Sequence, residues 1–494
     1  MATKEQQIKN SFIYLLPIII SNLLPFITLP IFTRILTRED YGVLALAQVY
    51  AIFVTGLANF GMTVSYDRNY FQYRDNRVET AKLLYSTLLF VMLNFLFLAG
   101  LTYLFKGTLS KLIIGSAEHA NIMFWAFCAQ FFSSVSYYYL AYFKNSESAK
   151  KFVVYTITGS LIAIIISLYL VVYLRIGVIG IVYAQLCSGT LVFAILTYKF
   201  TNIFSITFSK PIFVESLKIS YPLTPRIFLG VIGSQFDKYM IGLLASVGGV
   251  GIYSIGQKVA YVTFSYMTAL ENVYAPQVYK KMFDLGDKGG EAVGPYLTPF
   301  FYISILVALM ISLFSQEVIT ILTPSSYHEA IDIVTVLSML YGSYFFGKQP
   351  QLIFAKKTWM TSALTLVNIT LNIAINIPFI IKWGAIGAAW ATLTAGVISC
   401  SISFAISQHY YRIRWEYGNL AYIFLTFFGF SILIILLRDM NAAYSVLLGV
   451  KIIAVMIYVL IGVKIRVITM KNWMLVKDML FNLKTRSLLG NSQS

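Results

Sequence analysis

Charged residues are what this sequence has least of. Asp, Glu, Lys and Arg make up 12% of its 494 residues, about half the roughly 25% of an ordinary soluble domain. So few charges cannot cover a surface in water, which excludes a soluble globular protein and leaves lipid as the main solvent. Cysteine is nearly absent. Cys128, Cys187 and Cys400 lie far apart inside apolar runs, which excludes a disulfide framework and a zinc site and makes them small buried hydrophobes. The histidines His119, His328 and His409 sit at or near the ends of apolar runs with no metal-ligand spacing; they read as interfacial. Missing too is the polar–apolar alternation that a membrane barrel strand requires.

What the chain has instead is 58% hydrophobic residues and a mean hydropathy of +0.75. Its apolar runs are long, as in Leu83–Phe105 and Phe152–Leu174, and about 20 such residues span the hydrocarbon core as a helix. The fold class expected is therefore an all-α polytopic membrane protein of about fourteen transmembrane helices. The first span, 11–36, follows Lys4 and Lys9 with no small-residue cleavage site, so it reads as a retained helix rather than a signal peptide. Pro17, Pro25 and Pro30 should kink it.

Lys and Arg number 37 against 20 Asp and Glu, a formal charge of +17. An even span count puts both termini on one side, and most of the cationic residues fall on that side. The opposite loops hold only Arg34, Arg38, Lys106, Lys111, Arg175, Lys382 and Arg438. By the positive-inside rule both termini are cytoplasmic, and the excess charge serves topology and anionic lipid rather than nucleic acid.

The chain also repeats itself. Arg175, Gly177, Gly180, Ala184 and Gly189 correspond to Lys382, Gly384, Gly387, Ala391 and Gly396, each pair 207 positions apart. Gly42 and Gln48 recur as Gly251 and Gln257, Pro17 as Pro225, and Ala149-Lys150-Lys151 as Ala355-Lys356-Lys357, at nearly the same offset. A six-helix repeat keeps its orientation, so two parallel lobes are expected, 1–210 and 211–412. Residues 413–494 add two helices and a basic cytoplasmic tail. Transporters built this way bind substrate between lobes and rock between inward-open and outward-open states.

The segment Leu29-Pro30-Ile31-Phe32-Thr33-Arg34-Ile35-Leu36, continuing Arg38-Glu39-Asp40-Tyr41-Gly42, resembles the first-loop signature of polysaccharide flippases. Tyr221-Pro222-Leu223-Thr224-Pro225-Arg226 with Asp237-Lys238-Tyr239 is similar to their seventh-helix pattern. These belong to the multidrug/oligosaccharidyl-lipid/polysaccharide exporter superfamily, and the match is to its O-antigen and capsule branch. The resemblance covers nearly the whole chain. It implies translocation of an undecaprenyl-diphosphate-linked oligosaccharide across a bacterial cytoplasmic (inner) membrane, with spans 1, 2, 7 and 8 lining the cavity. It also implies glycan polymerase and chain-length machinery as partners.

Charge inside a membrane costs at least about 2.5–3.5 kcal/mol per residue at the helix centre, so each instance needs a reason. In the seventh span, 216–244, Arg226, Gly230, Gly233 and Asp237 lie within about 40° on one helical face. Such a face suits a water-filled lumen or a close helix contact. Arg226 and Asp237 are about 16 Å apart along the axis, too far to pair. Arg226, Lys238, Lys258 and Lys348 are the candidate cationic groups for a lipid diphosphate. Structural ion pairing is the competing reading for Arg226 and Lys258, as snorkelling to the interface is for Lys348. Asn368 and Asn372, on the polar face that also carries Asn376, are candidate sugar ligands, against the plainer role of interhelical hydrogen bonding; Gln48, Thr55 and Asn59 form a similar stripe. Asp237 and Glu271 are the candidate ion-coupling acids, with a proton or sodium counter-ion and no other cofactor. Permanent salt bridging is their alternative. Asp67, Arg68 and Pro25 are candidate gating residues. Lys451, outside the repeat, reads as structural.

A membrane enzyme of polysaccharide processing is the rival from another class. It would need a His/Asp/Arg cluster on a sizeable outer loop, and the outer loops are short and lack one. A cation-driven drug exporter of the same superfamily would be expected to carry an acidic cavity, whereas the intramembrane charges here are mainly basic. Precursors of peptidoglycan or teichoic type remain open as substrates.

Overall fold

The computed structural model describes residue 24, residues 26–347 and residues 350–467. Among these residues the ordered elements are helices, with no strand. The reason is the solvent: in hydrocarbon every peptide N–H and C=O must find its partner within its own segment. We number the helices α1 (26–32), α2 (Arg38–Asn59), α3 (Met62–Tyr73), α4 (Arg77–Ile113), α5 (Ala120–Asn145), α6 (Ala149–Leu168) and α7 (Ile179–Thr201). Then follow α8 (Lys210–Ser220), α9 (Thr224–Leu244), α10 (Val247–Leu285), α11 (Gly289–Leu313), α12 (Ser315–Leu322) and α13 (Ala330–Ser343). The last are α14 (Pro350–Phe354), α15 (Thr358–Tyr410), α16 (Tyr417–Asp439) and α17 (Tyr444–Lys464).

Ten helical segments are long and apolar enough to cross a membrane. Two of them, Val247–Leu313 and Trp359–Tyr410, run 67 and 52 residues, each long enough for two crossings. With the tyrosine-rich α5, thirteen of the fourteen expected crossings fall among the described residues; of the first expected span, 11–36, only residue 24 and residues 26–36 are described. The protein is a multi-pass membrane protein. Large apolar side chains such as Leu93, Phe97, Leu104, Ile165 and Leu460 point outward, as a lipid-facing surface requires. Cys400 is buried as expected, but Cys187 is exposed on that outer surface.

Local signals set the helix ends. Thr37 caps α2, and its capping box with Asp40 is complete. Phe60 and Gly61 both take positive φ, 48° and 72°, so the second span breaks into α2 and α3 rather than running straight through. The seventh span breaks likewise into α8 and α9 around Tyr221–Leu223, where Pro222 removes a donor. Gly177 after α6 has φ +74°, and Gly384, 207 positions further on inside α15, has φ +60°. At Gly384 ψ is −136°, a conformation only glycine adopts without strain, so spans eleven and twelve join at a sharp kink.

The described chain divides into two compact units. One holds the residues up to Ile255 together with Val318–Ala330 and Ile369–Ala391. Its core is aromatic: Phe95, Phe127, Tyr138, Tyr139, Phe143 and Phe200 are fully buried around α5. The other holds Gly256–Glu317, Ile331–Asn368 and the residues from Thr392 on. There Tyr302 of α11 and Tyr458 of α17 stack at 4.7 Å, and each hydroxyl donates to the other's carbonyl oxygen, at 3.0 and 2.8 Å.

Lys451 is fully buried, and its ammonium lies 2.5 Å from Glu317 Oε1. This is the structural role read for it from the sequence. Tyr444 also donates to Glu317. Burial alone would raise the Glu317 pKa, but the hydrogen bonds from Lys451 and Tyr444 outweigh it and hold the carboxyl below its ordinary range. One helix away Arg438 pairs with Asp332 at 2.7 Å and donates to Ser315 and Thr335. These pairs hold α16 and α17 against α12 and α13. Glu317→Gln should destabilise the protein by about 3–5 kcal/mol, because it leaves a buried ammonium without its counter-charge. Adding Lys451→Met should recover most of that loss in thermal unfolding of the detergent-solubilised protein. A double variant no more stable than Glu317→Gln would contradict the pairing.

Candidate functional site

Asp237 is the one described acid of α9, and it is buried. Its Oδ1 accepts from Asn376 Nδ2 of α15 at 2.9 Å, and its Oδ2 from the Tyr253 hydroxyl of α10 at 3.0 Å. Asn376 Nδ2 also reaches Asn372 Oδ1 at 2.9 Å, and the fully buried Asn376 Oδ1 has no hydrogen-bond partner. A carboxylate is the group here that can take a proton, and a buried carbonyl oxygen without a partner is a ligand of the type a hard cation such as sodium favours.

The face leading to Asp237 is mixed. Gly233 lies against Ile369 of α15, where a Cβ would meet the side chain at 3.1 Å, while Gly230 faces open space. The close contact expected of this face is therefore present at Gly233, and the face is uncovered at Gly230. Arg226 lies on the same face, one turn before Gly230; its side chain is outside the described set. Lys238, next to Asp237, is half-buried and reaches Gln235 Oε1 at 3.3 Å. Lys258 is exposed and Glu271 half-buried, both on α10. Lys348 and Pro25 lie outside the described residues.

Asn368 is placed elsewhere. It lines a cavity of about 270 Å³ with Tyr344, Thr361, Thr365, Ser399 and Ser403. The lining has hydroxyls and an amide but no charged group. Asn372, one turn further along α15, instead belongs to the Asp237 cluster. Of the second-span stripe, Asn59 is taken up by Ser134 and Tyr138 of α5, at 2.7 and 3.1 Å, an interhelical role.

Asp67 and Arg68 point to different partners. Asp67 accepts from Lys144 at 3.1 Å and Asn145 at 2.8 Å, which ties α3 to α5. Arg68 turns to α8, where Glu215 is the hub. Glu215 accepts from Tyr73 at 2.5 Å, from Gln72 at 3.2 Å and from Arg68 at 3.5 Å. Beside it, buried Asn69 donates to buried Ser216 at 3.1 Å. The broken ends of the two spans meet as well: a Cβ on Gly61 would press on the Ser220 carbonyl oxygen at 2.8 Å.

Sequence reasoning missed Glu215 and Tyr253. Glu215 precedes the expected start of its span and looked like a loop acid. Tyr253 is one of 35 tyrosines, with nothing local to single it out. Asn376 was visible as part of a polar stripe, but its partner was not.

The fold is one that known transporters share. It resembles the structure titled "Lipid II flippase MurJ, inward closed conformation" with TM-score 0.70 and 17% identity, over 92% of this chain and 99% of that one. It also resembles an inward-facing multidrug resistance MATE family transporter of the MOP superfamily, with TM-score 0.65 and 14% identity, over 78% of this chain and 94% of that one. At these identities the likeness establishes the fold alone. The family comes from sequence: the family described as "Polysaccharide biosynthesis protein" matches residues 8–276, and the chain belongs to it. A curated relative, the probable low-salt glycan biosynthesis flippase Agl15 of Haloferax volcanii, is 21% identical over 233 residues. That match spans 45% of this chain and about half, 48%, of the relative's length. These similar proteins are flippases and transporters by name rather than enzymes.

Glu215→Ala removes the acceptor of three α3 donors, a loss of about 1–3 kcal/mol. In that variant a cysteine replacing buried Ser216 should react with maleimide about tenfold faster. An unchanged rate would show that Glu215 does not hold α3 to α8.

Proposed function

We propose that this protein is a flippase. It carries an undecaprenyl-diphosphate-linked oligosaccharide, an O-antigen or capsule repeat unit, to the outer leaflet of a bacterial cytoplasmic membrane by alternating access, with both termini cytoplasmic. The observation that carries this reading is the α9 face, where Arg226 lies in line with a buried acid that accepts from Tyr253 and Asn376. A guanidinium suits a diphosphate, and a buried carboxylate held by hydrogen bonds can respond to an ion. Membership in the polysaccharide biosynthesis family and the likeness to a probable glycan biosynthesis flippase support the substrate class.

In this proposal the two six-helix lobes, 1–210 and 211–412, move against each other. Arg226, Lys238, Lys258 and Lys348 attract the diphosphate, and Asn368 meets sugar hydroxyls. Asn372 orients Asn376 within the ion site. Asp237, with Glu271 as a second acid, senses a proton or sodium gradient. Asp67 and Arg68 act as a gate at the cytoplasmic end, and Pro25 gives the first helix the bend that gating needs. Glycan polymerase and chain-length machinery take the product onward.

In cells, Arg226→Ala should abolish glycan export with protein abundance unchanged; normal surface glycan in that variant would sink the cationic-cavity idea. In reconstituted vesicles the wild type should move a labelled lipid-linked oligosaccharide in response to a proton or sodium gradient. Asp237→Asn keeps the shape of the site but removes the charge, so its transport should no longer respond to the gradient. A full response would reduce Asp237 to a structural role. Export of a cationic drug, with no movement of the lipid-linked glycan, would assign the protein to drug efflux instead.

A further inference from the structure

The repeat-related glycines Gly42 and Gly251 touch each other. A Cβ built on Gly251 would lie 3.0 Å from the Gly42 backbone nitrogen and overlap the Arg38 carbonyl oxygen. A Cβ on Gly42 would overlap the Val247 carbonyl oxygen and lie 2.8 Å from Val247 Cγ1. Arg38 and Val247 are 209 positions apart, the same offset as Gly42 and Gly251. Each glycine is therefore pressed against the carbonyl of the residue one turn before the other glycine. That reciprocity is the signature of an isologous contact, here within one chain about a local two-fold axis. Small residues let the two backbones meet directly.

Two helix N-termini, both partly positive, face each other at this point, which by itself is unfavourable. The first turn of α10 has no acid of its own. Glu39 of α2 supplies one: its Oε1 lies 2.8 Å from where a Gly248 Cβ would stand. The surrounding loops tie in as well. Tyr327 donates to the Leu36 carbonyl at 2.8 Å, Thr33 to the Leu322 carbonyl at 3.2 Å, and Arg38 pairs with Glu329 at 3.4 Å.

We propose that the Gly42–Gly251 contact is the closing surface of the extracytoplasmic gate. It is a dry, backbone-to-backbone seal that forms only while both positions lack a side chain. The gating role, though not the contact, rests on the transport reading above. Because the pair sits on the local axis, a rotation of the repeats relieves both halves of the contact at once, so the seal opens as a unit. A side chain at either position keeps this end open.

The test uses the full-length protein with Cys128, Cys187 and Cys400 replaced by alanine and a Glu39→Cys, Gly248→Cys pair introduced. With both glycines present the pair should form a disulfide on mild oxidation. The yield should fall about tenfold in Gly42→Val or Gly251→Val, since overpacking at either position disfavours the closed state. It should be unaffected by Gly100→Val, where a side chain meets nothing within 4 Å. Crosslinking that survives Gly42→Val overturns the seal. A second measurement avoids any folding defect of the valine variants. With both glycines intact, the oxidised pair should arrest glycan transport in vesicles, and reductant should restore it. Undiminished transport by fully crosslinked protein overturns the gating role. If the valine variants lose the crosslink while the reduced protein shows no glycan transport, the transport reading fails and the seal stands.

Discussion

Hydrocarbon offers no partner to a peptide group, and nearly every feature of this chain follows from that constraint. The backbone must close its hydrogen bonds within each helix, which leaves few places where a helix can break. Those breaks fall where glycine or proline makes them inexpensive: at Phe60–Gly61, at Tyr221–Leu223 and at Gly384. The breaks in turn divide the second and seventh spans. Their shorter halves, α3 and α8, then meet as a separate pair with Glu215 as its hub.

The same solvent decides what a buried charge can be. A charge in lipid must find compensation inside the protein, and two kinds occur here. Lys451 with Glu317 and Arg438 with Asp332 are full ion pairs, and they fasten the last two helices. Around Asp237 the compensation includes hydrogen bonds from a tyrosine hydroxyl and an amide, which tie α9, α10 and α15 to one carboxylate.

Much of the fold was legible in advance because it depends on composition and period. Low charge and long apolar runs specify helices in a membrane. The 207-residue offset of Arg175, Gly177 and Gly180 against Lys382, Gly384 and Gly387 points to a repeat, and Gly177 and Gly384 both take positive φ. The site was less legible. The stripe on α9 singled out Asp237, and the stripe on α15 contained Asn376, but neither stripe indicates that they meet. Asn368 and Asn372 are one turn apart, yet one lines a cavity and the other serves the Asp237 cluster.

By itself the sequence determined the solvent, the class of secondary structure and the approximate number of crossings, since each depends on residues close together or on spacing alone. Only the tertiary structure decided which partners the buried charges take, that Glu215 joins α3 to α8, and that Gly42 and Gly251 touch. Those contacts join residues far apart in the chain, such as Asp237 with Asn376. A polar or glycine stripe on one helix marks a face to be filled, and the packing of the other helices determines what fills it.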